Sequence, residues 1–569
     1  MERKQQLLRP HSMPHLLSNL RASASFIQTL KSNDQIFPPE ILALVFEMVL
    51  EHYTLEYGEH NFEIRLREAA TIRHASQVCH YWRNVALSCT RIWGKLINID
   101  SSGFTWTQEL LTRSRTAPLI IQSSSDLDRF NQVPGMRFSS IRWQAIFAEA
   151  ARIKVLHTSF SSRDDIHFLT NLVLEPAPLL ESCNFVLDLD DDTVEPVGYQ
   201  SIFRGDPFNG HAPNLRCLTS HAAFLPSFRL ADFTHLNLRH LDIAFPETSI
   251  PMSLSRWLDI LASQPLLEFL TLTNFTVERY NATSPLNVNL PRLNTLYLLA
   301  EINDCDRLFG HLVLPPTAFV HINLEQNTGE ISVHGLSRGL ERIFRSWDEH
   351  SDSSCYQWRL ETDEYEGFNI GIGPADPKAN FFLSQLTIEY TTDAPYTDWV
   401  PHPFSNFLRL LQNAPLVNRE AVLFLGLEFS ENSSRVVSVH TLRPFLSAFK
   451  NVSKLILCGE RFDQRLLWTL VSTPIPLPAK GTPALLFPNL SSIGFVISWD
   501  YPLSLDRFHG FLHWRYTGGR QVPNVILIAD DPEYCNENES IYFAKTVQVL
   551  ANVDVAPPAP PYCSLCGTC

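Results

Sequence analysis

What most constrains the fold of this chain is a refrain that returns through its middle, Leu-x-x-Leu-x-Leu in its fullest form. Leu267-Glu268-Phe269-Leu270-Thr271-Leu272 and Leu293-Asn294-Thr295-Leu296-Tyr297-Leu298 show it complete, each shortly after a proline, Pro265 and Pro291. Variants begin at Pro178, Pro213, Leu238, Phe319, Leu383, Val452 and Leu490, with Cys, Phe, Ile or Val replacing some leucines. The last three positions alternate apolar, polar, apolar. Successive side chains of a strand point to opposite faces, so the outer pair turns inward and the middle residue outward. Helical patterns precede several of these strands. Leu254, Trp257, Leu258 and Leu261 come before Pro265; Phe404, Phe407, Leu408 and Leu411 before Pro415; and Leu442, Phe445, Leu446 and Phe449 before Val452. Helix then strand, repeated, predicts parallel strands stacked side by side over one continuous apolar core.

Units of this form carry the strand signature of a leucine-rich repeat and imply an irregular α/β solenoid over residues 99–554, spaced about 23 to 35 residues against the usual 20 to 29 or so. A longer gap between the Phe319 and Leu383 units holds Ser351–Ser354 and Gly367–Asp376. It reads as an inserted loop around 345–380 or a distorted repeat. By alternation alone, Asp242, Thr271, Tyr297, Asn323 and Thr387 stand on the outward face of their strands.

The N-terminal part has a different grammar. Phe37-Pro38-Pro39-Glu40-Ile41-Leu42 reads as a helix start. Proline is tolerated in the first turn, where its missing N–H would have no partner, and Glu40 suits the positive end of the helix dipole. Ile41, Leu42, Val45, Phe46 and Val49 follow as an apolar stripe. Ala75, Val78, Cys79, Trp82, Val85 and Ala86 form a second, and Arg91-Ile92-Trp93 closes the block. This order of parts resembles the F-box family in the form abundant in mushroom-type fungi. Phe37 stands where the family usually has Leu, and the segment from Glu51 to Ala70 is longer than in many members. The resemblance covers residues 34–98, behind a weakly helical lead-in at 1–33.

The resemblance implies a small helical module that docks on the Skp-type adaptor of a cullin-based ubiquitin ligase. The repeats behind it would then bind a protein substrate. On that expectation Pro38, Pro39, Ile41, Leu42, Val45, Val78, Cys79, Trp82, Val85 and Trp93 are candidates for docking. Asp242, Thr271, Tyr297, Asn323 and Thr387 are candidates for substrate contact. The alternative is a leucine-rich-repeat scaffold outside any ligase, capped by F-box-like helices.

Composition limits the rivals. A formal charge of -15 argues against a general binder of nucleic acid or anionic membrane, which needs a basic footprint. No apolar run reaches the ~20 residues of a membrane helix, and no continuous apolar centre marks an export signal. The cysteines, odd in number at 11 and scattered, suit a reducing cytoplasm or nucleus rather than a disulfide framework. The Pro-rich tail at 555–569 ends in Cys563, Cys566 and Cys569, short of the four ligands of structural zinc, so no metal is expected. The acidic runs Asp188–Glu195 and Asp530–Glu539 lack calcium-loop spacing, and Gly371-Ile372-Gly373 lacks the third glycine of a nucleotide fingerprint. No catalytic motif and no cofactor site emerges, so an enzyme is not expected.

Overall fold

A computed structural model describes residues 37–56, 70–99, 103–122, 140–160, 175–187, 207–221, 236–245, 251–278, 287–325, 334–350, 356–362, 368–374, 386–391, 408, 422–429, 439–458, 486–497 and 524–529. The lead-in, the cysteine tail and both acidic runs lie outside these residues. The chain divides into two compact units, Met1–Ala145 and Ile146–Cys569. The first therefore extends beyond the 34–98 span read from the sequence.

In the first unit, α1 (Pro39–Glu56) begins as its residues dictate. Pro39 occupies the first helical position, Glu40 the first turn, and the Pro38 carbonyl accepts the N–H groups of Ile41 and Leu42 at 3.0 and 3.1 Å. Leu42, Phe46 and Leu50, one helical turn apart, pack with Ile72, Val85, Ala86 and Ile92 into one core cluster. The second stripe is not one helix. A short helix at 70–75 ends in a turn, and α2 (His80–Ser88) starts afresh, capped by Cys79, whose Sγ accepts the Trp82 N–H at 3.4 Å. Helix α3 (Thr90–Lys95) follows, and after Leu96 the chain extends into a two-residue β1 (Ile97–Asn98). After α4 (Phe104–Ser114), β1 pairs in parallel with β2 (Leu119–Gln122). Gly94 permits the close approach of α3 to this pair: a Cβ there would lie 2.5 Å from the Pro118 carbonyl oxygen. Helix α5 (Ser140–Phe147) spans the division between the units.

The second unit holds β3 (Ile153–Phe160), β4 (Ser182–Leu187), β5 (Cys217–His221), β6 (His240–Ala244), β7 (Phe269–Thr273), β8 (Val288–Asn289), β9 (Thr295–Glu301) and β10 (Leu312–Val313). It continues through β11 (Phe319–Glu325), β12 (Tyr356–Thr362), β13 (Phe368–Pro374), β14 (Leu386–Thr391), β15 (Val422–Phe429), β16 (Lys454–Cys458), β17 (Ser492–Ile497) and β18 (Asn524–Ala529). Their order is β3-β4-β5-β6-β7-β9-β11-β14-β13-β12-β15-β16-β17-β18, while β8 and β10 pair apart. The architecture is mixed α/β around a large, mostly parallel sheet. Every refrain forms one of its strands. Leu270, Leu272, Leu296 and Leu298 are fully buried in register, Leu270 opposite Leu296 and Leu272 opposite Leu298.

Helices α6 (Leu254–Ala262), α7 (Ile302–Phe309), α8 (His334–His350) and α9 (Val439–Leu446) follow the amphipathic pattern. Helices α7 and α8 meet closely at Gly335, where a Cβ would overlap the Asp306 carbonyl oxygen. The Asp306 carboxylate accepts the Leu336 N–H at 2.7 Å beside that contact.

Of the two readings of the segment around 345–380, inserted loop or distorted repeat, the inserted loop is corrected here. The segment contains the end of α8 and two strands, β12 and β13, both integral to the sheet. Strand β13 runs antiparallel to β12 and β14, the one reversal in this sheet among the described residues. Gly371 and Gly373 therefore lie in a strand, not in a phosphate-binding turn.

Candidate docking surfaces

The first unit presents apolar side chains to solvent on one side of α1. Ile41 and Val45 are each 44% exposed, Leu44 52% and Met48 64%. Spaced i, i+3, i+4, i+7, they form one row, angularly distinct from the buried row Leu42, Phe46, Leu50. Helix α1 thus has two apolar stripes, of which the fold consumes one. The other docking candidates divide likewise. Pro38, Pro39 and Cys79 are exposed and Val78 is 37% exposed, whereas Val85 is buried. Trp82 is half-buried, edge-on to Phe46 at 5.6 Å.

Trp93 belongs to the interior. Its Nε1 donates to the Ala86 carbonyl at 2.8 Å, and Trp106 stands edge-on at 6.5 Å. The Arg113 guanidinium lies 4.7 Å from the Trp93 ring and 5.6 Å from the Trp106 ring, a cation over two negative ring faces. Leu42, Val85 and Trp93 therefore hold the module together. Leu44 and Met48 are exposed members that the sequence reading passed over. The signal was present: a helix carrying apolar residues at both 41/45/48 and 42/46/50 has more apolar surface than one core can bury.

The second unit presents the other face of its strands. Register makes Asp242, Thr271, Tyr297, His321 and Thr387 one continuous row across β6, β7, β9, β11 and β14. Asn323 lies one row further along, opposite Leu299 and Glu389, so His321 takes the place expected for it. Sequence reasoning missed this because the Phe319 unit lacks the opening leucine that sets the register elsewhere.

Polar contacts knit neighbouring strands on this face. His221 Nε2 lies 3.2 Å from Asp242 Oδ2, and His321 Nε2 lies 3.1 Å from Glu389 Oε2. The Tyr297 and His321 rings are 4.8 Å apart, tilted by 32°. The hydrogen bond that His221 donates to the Asp242 carboxylate raises the His221 pKa above its ordinary 6.5, against the pull of burial. The His321 hydrogen bond lowers the Glu389 carboxyl below the usual range, again opposed by burial.

No protein-family model matches the chain, and no curated protein matches it. Its own chemistry must therefore carry any assignment. Among the described residues, no group of three or more His, Cys, Asp or Glu side chains could hold a metal ion, and no helix is long and apolar enough to cross a membrane. The Cys183 and Cys305 thiols are buried, and desolvation pushes both pKa values well above the ordinary range, which removes the thiolate that nucleophilic chemistry requires.

Proposed function

We propose that this chain is the substrate-recognition subunit of a cullin-based ubiquitin ligase. In this reading the first unit is an F-box-like module that docks on a Skp-type adaptor. The second is an irregular leucine-rich-repeat solenoid whose outward strand face binds a protein substrate. The contribution to catalysis is proximity, because a substrate held near ubiquitin carried by other subunits reacts as if at high local concentration.

The observation that carries the reading is the exposed row Ile41, Leu44, Val45 and Met48. An apolar row beside an already satisfied core marks a surface that a partner covers. Its position directly after Pro38-Pro39-Glu40 is where the resemblance puts adaptor contact.

The test is the pair Ile41→Glu and Val45→Glu. Burying two unpaired carboxylates in an apolar interface is strongly unfavourable, so adaptor affinity should fall at least tenfold, about 1.4 kcal/mol. The melting temperature should hardly move, since both side chains already meet water. Leu42→Glu, by contrast, should unfold the module. Well-folded wild-type protein that fails to bind the adaptor in a direct titration would replace the ligase reading with the scaffold one.

A further inference from the structure

The substrate class follows from the charge of the outward sheet face, an argument that rests on the reading of that face as the substrate-binding one. Across β5, β6, β7, β9, β11 and β14 the described outward positions include Asp242, Glu301, Glu325 and Glu389, and no lysine or arginine. The basic groups there are histidines, His221, His240 and His321. The carboxylates gather toward one side: Glu301 and Glu325 are register partners, and Glu389 lies opposite Asn323 on the next strand. Beside them stands the tilted Tyr297–His321 pair. Burial pushes the Tyr297 phenol upward; a hydrogen bond with Asn323 opposes that shift, and the charges of Glu389 and Glu325 add to it. Phe269 and Phe319, 40% and 59% exposed, extend the aromatic surface along the first row of the same face.

We propose that this face takes an extended, arginine- or lysine-bearing segment of a partner protein, with one cation at the Tyr297 ring beside Glu389 and Glu325. An aromatic face attracts a cation through its quadrupole, and neighbouring carboxylates supply charge-assisted acceptors for guanidinium or ammonium. The carboxylates are half-buried, so salt screens them less than fully exposed groups. An acidic segment would meet repulsion from these carboxylates. A purely apolar one would strip water from the carboxylates and return nothing.

The experiment titrates full-length protein into a fluorescent peptide of alternating arginine and serine, with the glutamate–serine peptide and spermine as comparisons. The arginine peptide should bind, more weakly as salt rises. Glu325→Gln combined with Glu389→Gln should weaken it at least about fivefold, with a thermal melt that shifts by no more than the loss of the half-exposed His321–Glu389 pair. Tyr297→Leu should weaken it without altering charge, and it decides the matter if the glutamine variant melts early. Equal binding of both peptides, undiminished binding by the variants, or displacement by equimolar spermine would overturn the inference; the last would mark a diffuse counter-ion atmosphere. Adaptor binding is measured on the same preparation. Adaptor without peptide refutes the substrate class alone; peptide without adaptor refutes the ligase reading and leaves the chemistry of the face standing.

Discussion

His221 and Asp242 show what one residue pair adds to the sheet. The imidazole sits on β5 and the carboxylate on β6, 3.2 Å apart, with side chains 44% and 21% exposed. The hydrogen bond raises the folded-state pKa of His221 above 6.5. A raised value means that the charged pair stabilises the fold fully below the unfolded-state pKa, and that this contribution disappears as pH climbs through the folded-state value. At such exposure the effect is small, under about 1 kcal/mol. Urea midpoints of wild type and Asp242→Asn should therefore differ most at acidic pH near 5.5 and converge toward pH 8. A gap that widens with rising pH would contradict the pairing. Such residue-level facts were only half legible. Alternation put Asp242 on the outward face, but its partner on the neighbouring strand depended on a register that sequence does not state. The same holds in α1, where Ile41 and Leu42 are chemically alike and only the packing of Phe46 and Leu50 decides that Leu42 turns inward.

Elements were more legible where a period repeats and less so where one cap or one reversal decides. Strand β9 alternates half-buried and buried from Thr295 to Glu301, as Leu293-x-x-Leu296-x-Leu298 requires. Leu296 is fully buried between Leu270 on β7 and Val320 on β11. Leu296→Ala should cost about 2–5 kcal/mol, the range for a leucine truncated in a packed core, whereas Thr295→Ala, half-buried on the other face, should cost far less. Denaturant titration of the two variants checks the register directly; equal costs would contradict it. The break between the 70–75 helix and α2 was not legible, because its cap is Cys79, a residue type with weak capping preference. Strand β13 carries a weaker signal of its own. Phe368, Ile370 and Ile372 alternate with period 2, but they lack the leucine refrain and stand among Gly367, Gly371 and Gly373, a composition that equally suits turns.

At the scale of the whole molecule, the parallel order stemming from repeated helix–strand units was readable, while its single reversal was not. A parallel strand needs a crossover to bring the chain back, whereas β12, β13 and β14 are joined by connections short enough to reverse direction. Strand β13 is therefore a splice between two parallel runs, β3 to β14 on one side and β12 to β18 on the other. Ile370 lies at its centre, fully buried, with Leu360 and Ile388 as register partners. In a sheet where each strand touches only its neighbours, damage stays local unless the strands beyond depend on it. Ile370→Ala should lower the opening free energy at β12, β13 and β14 by about 2–5 kcal/mol and leave amide protection in β6, β7 and β9 near its wild-type level. Hydrogen exchange resolved by strand measures both. Uniform loss of protection from β3 to β18 would show instead that the two runs form one cooperative unit, with β13 as its keystone rather than its seam.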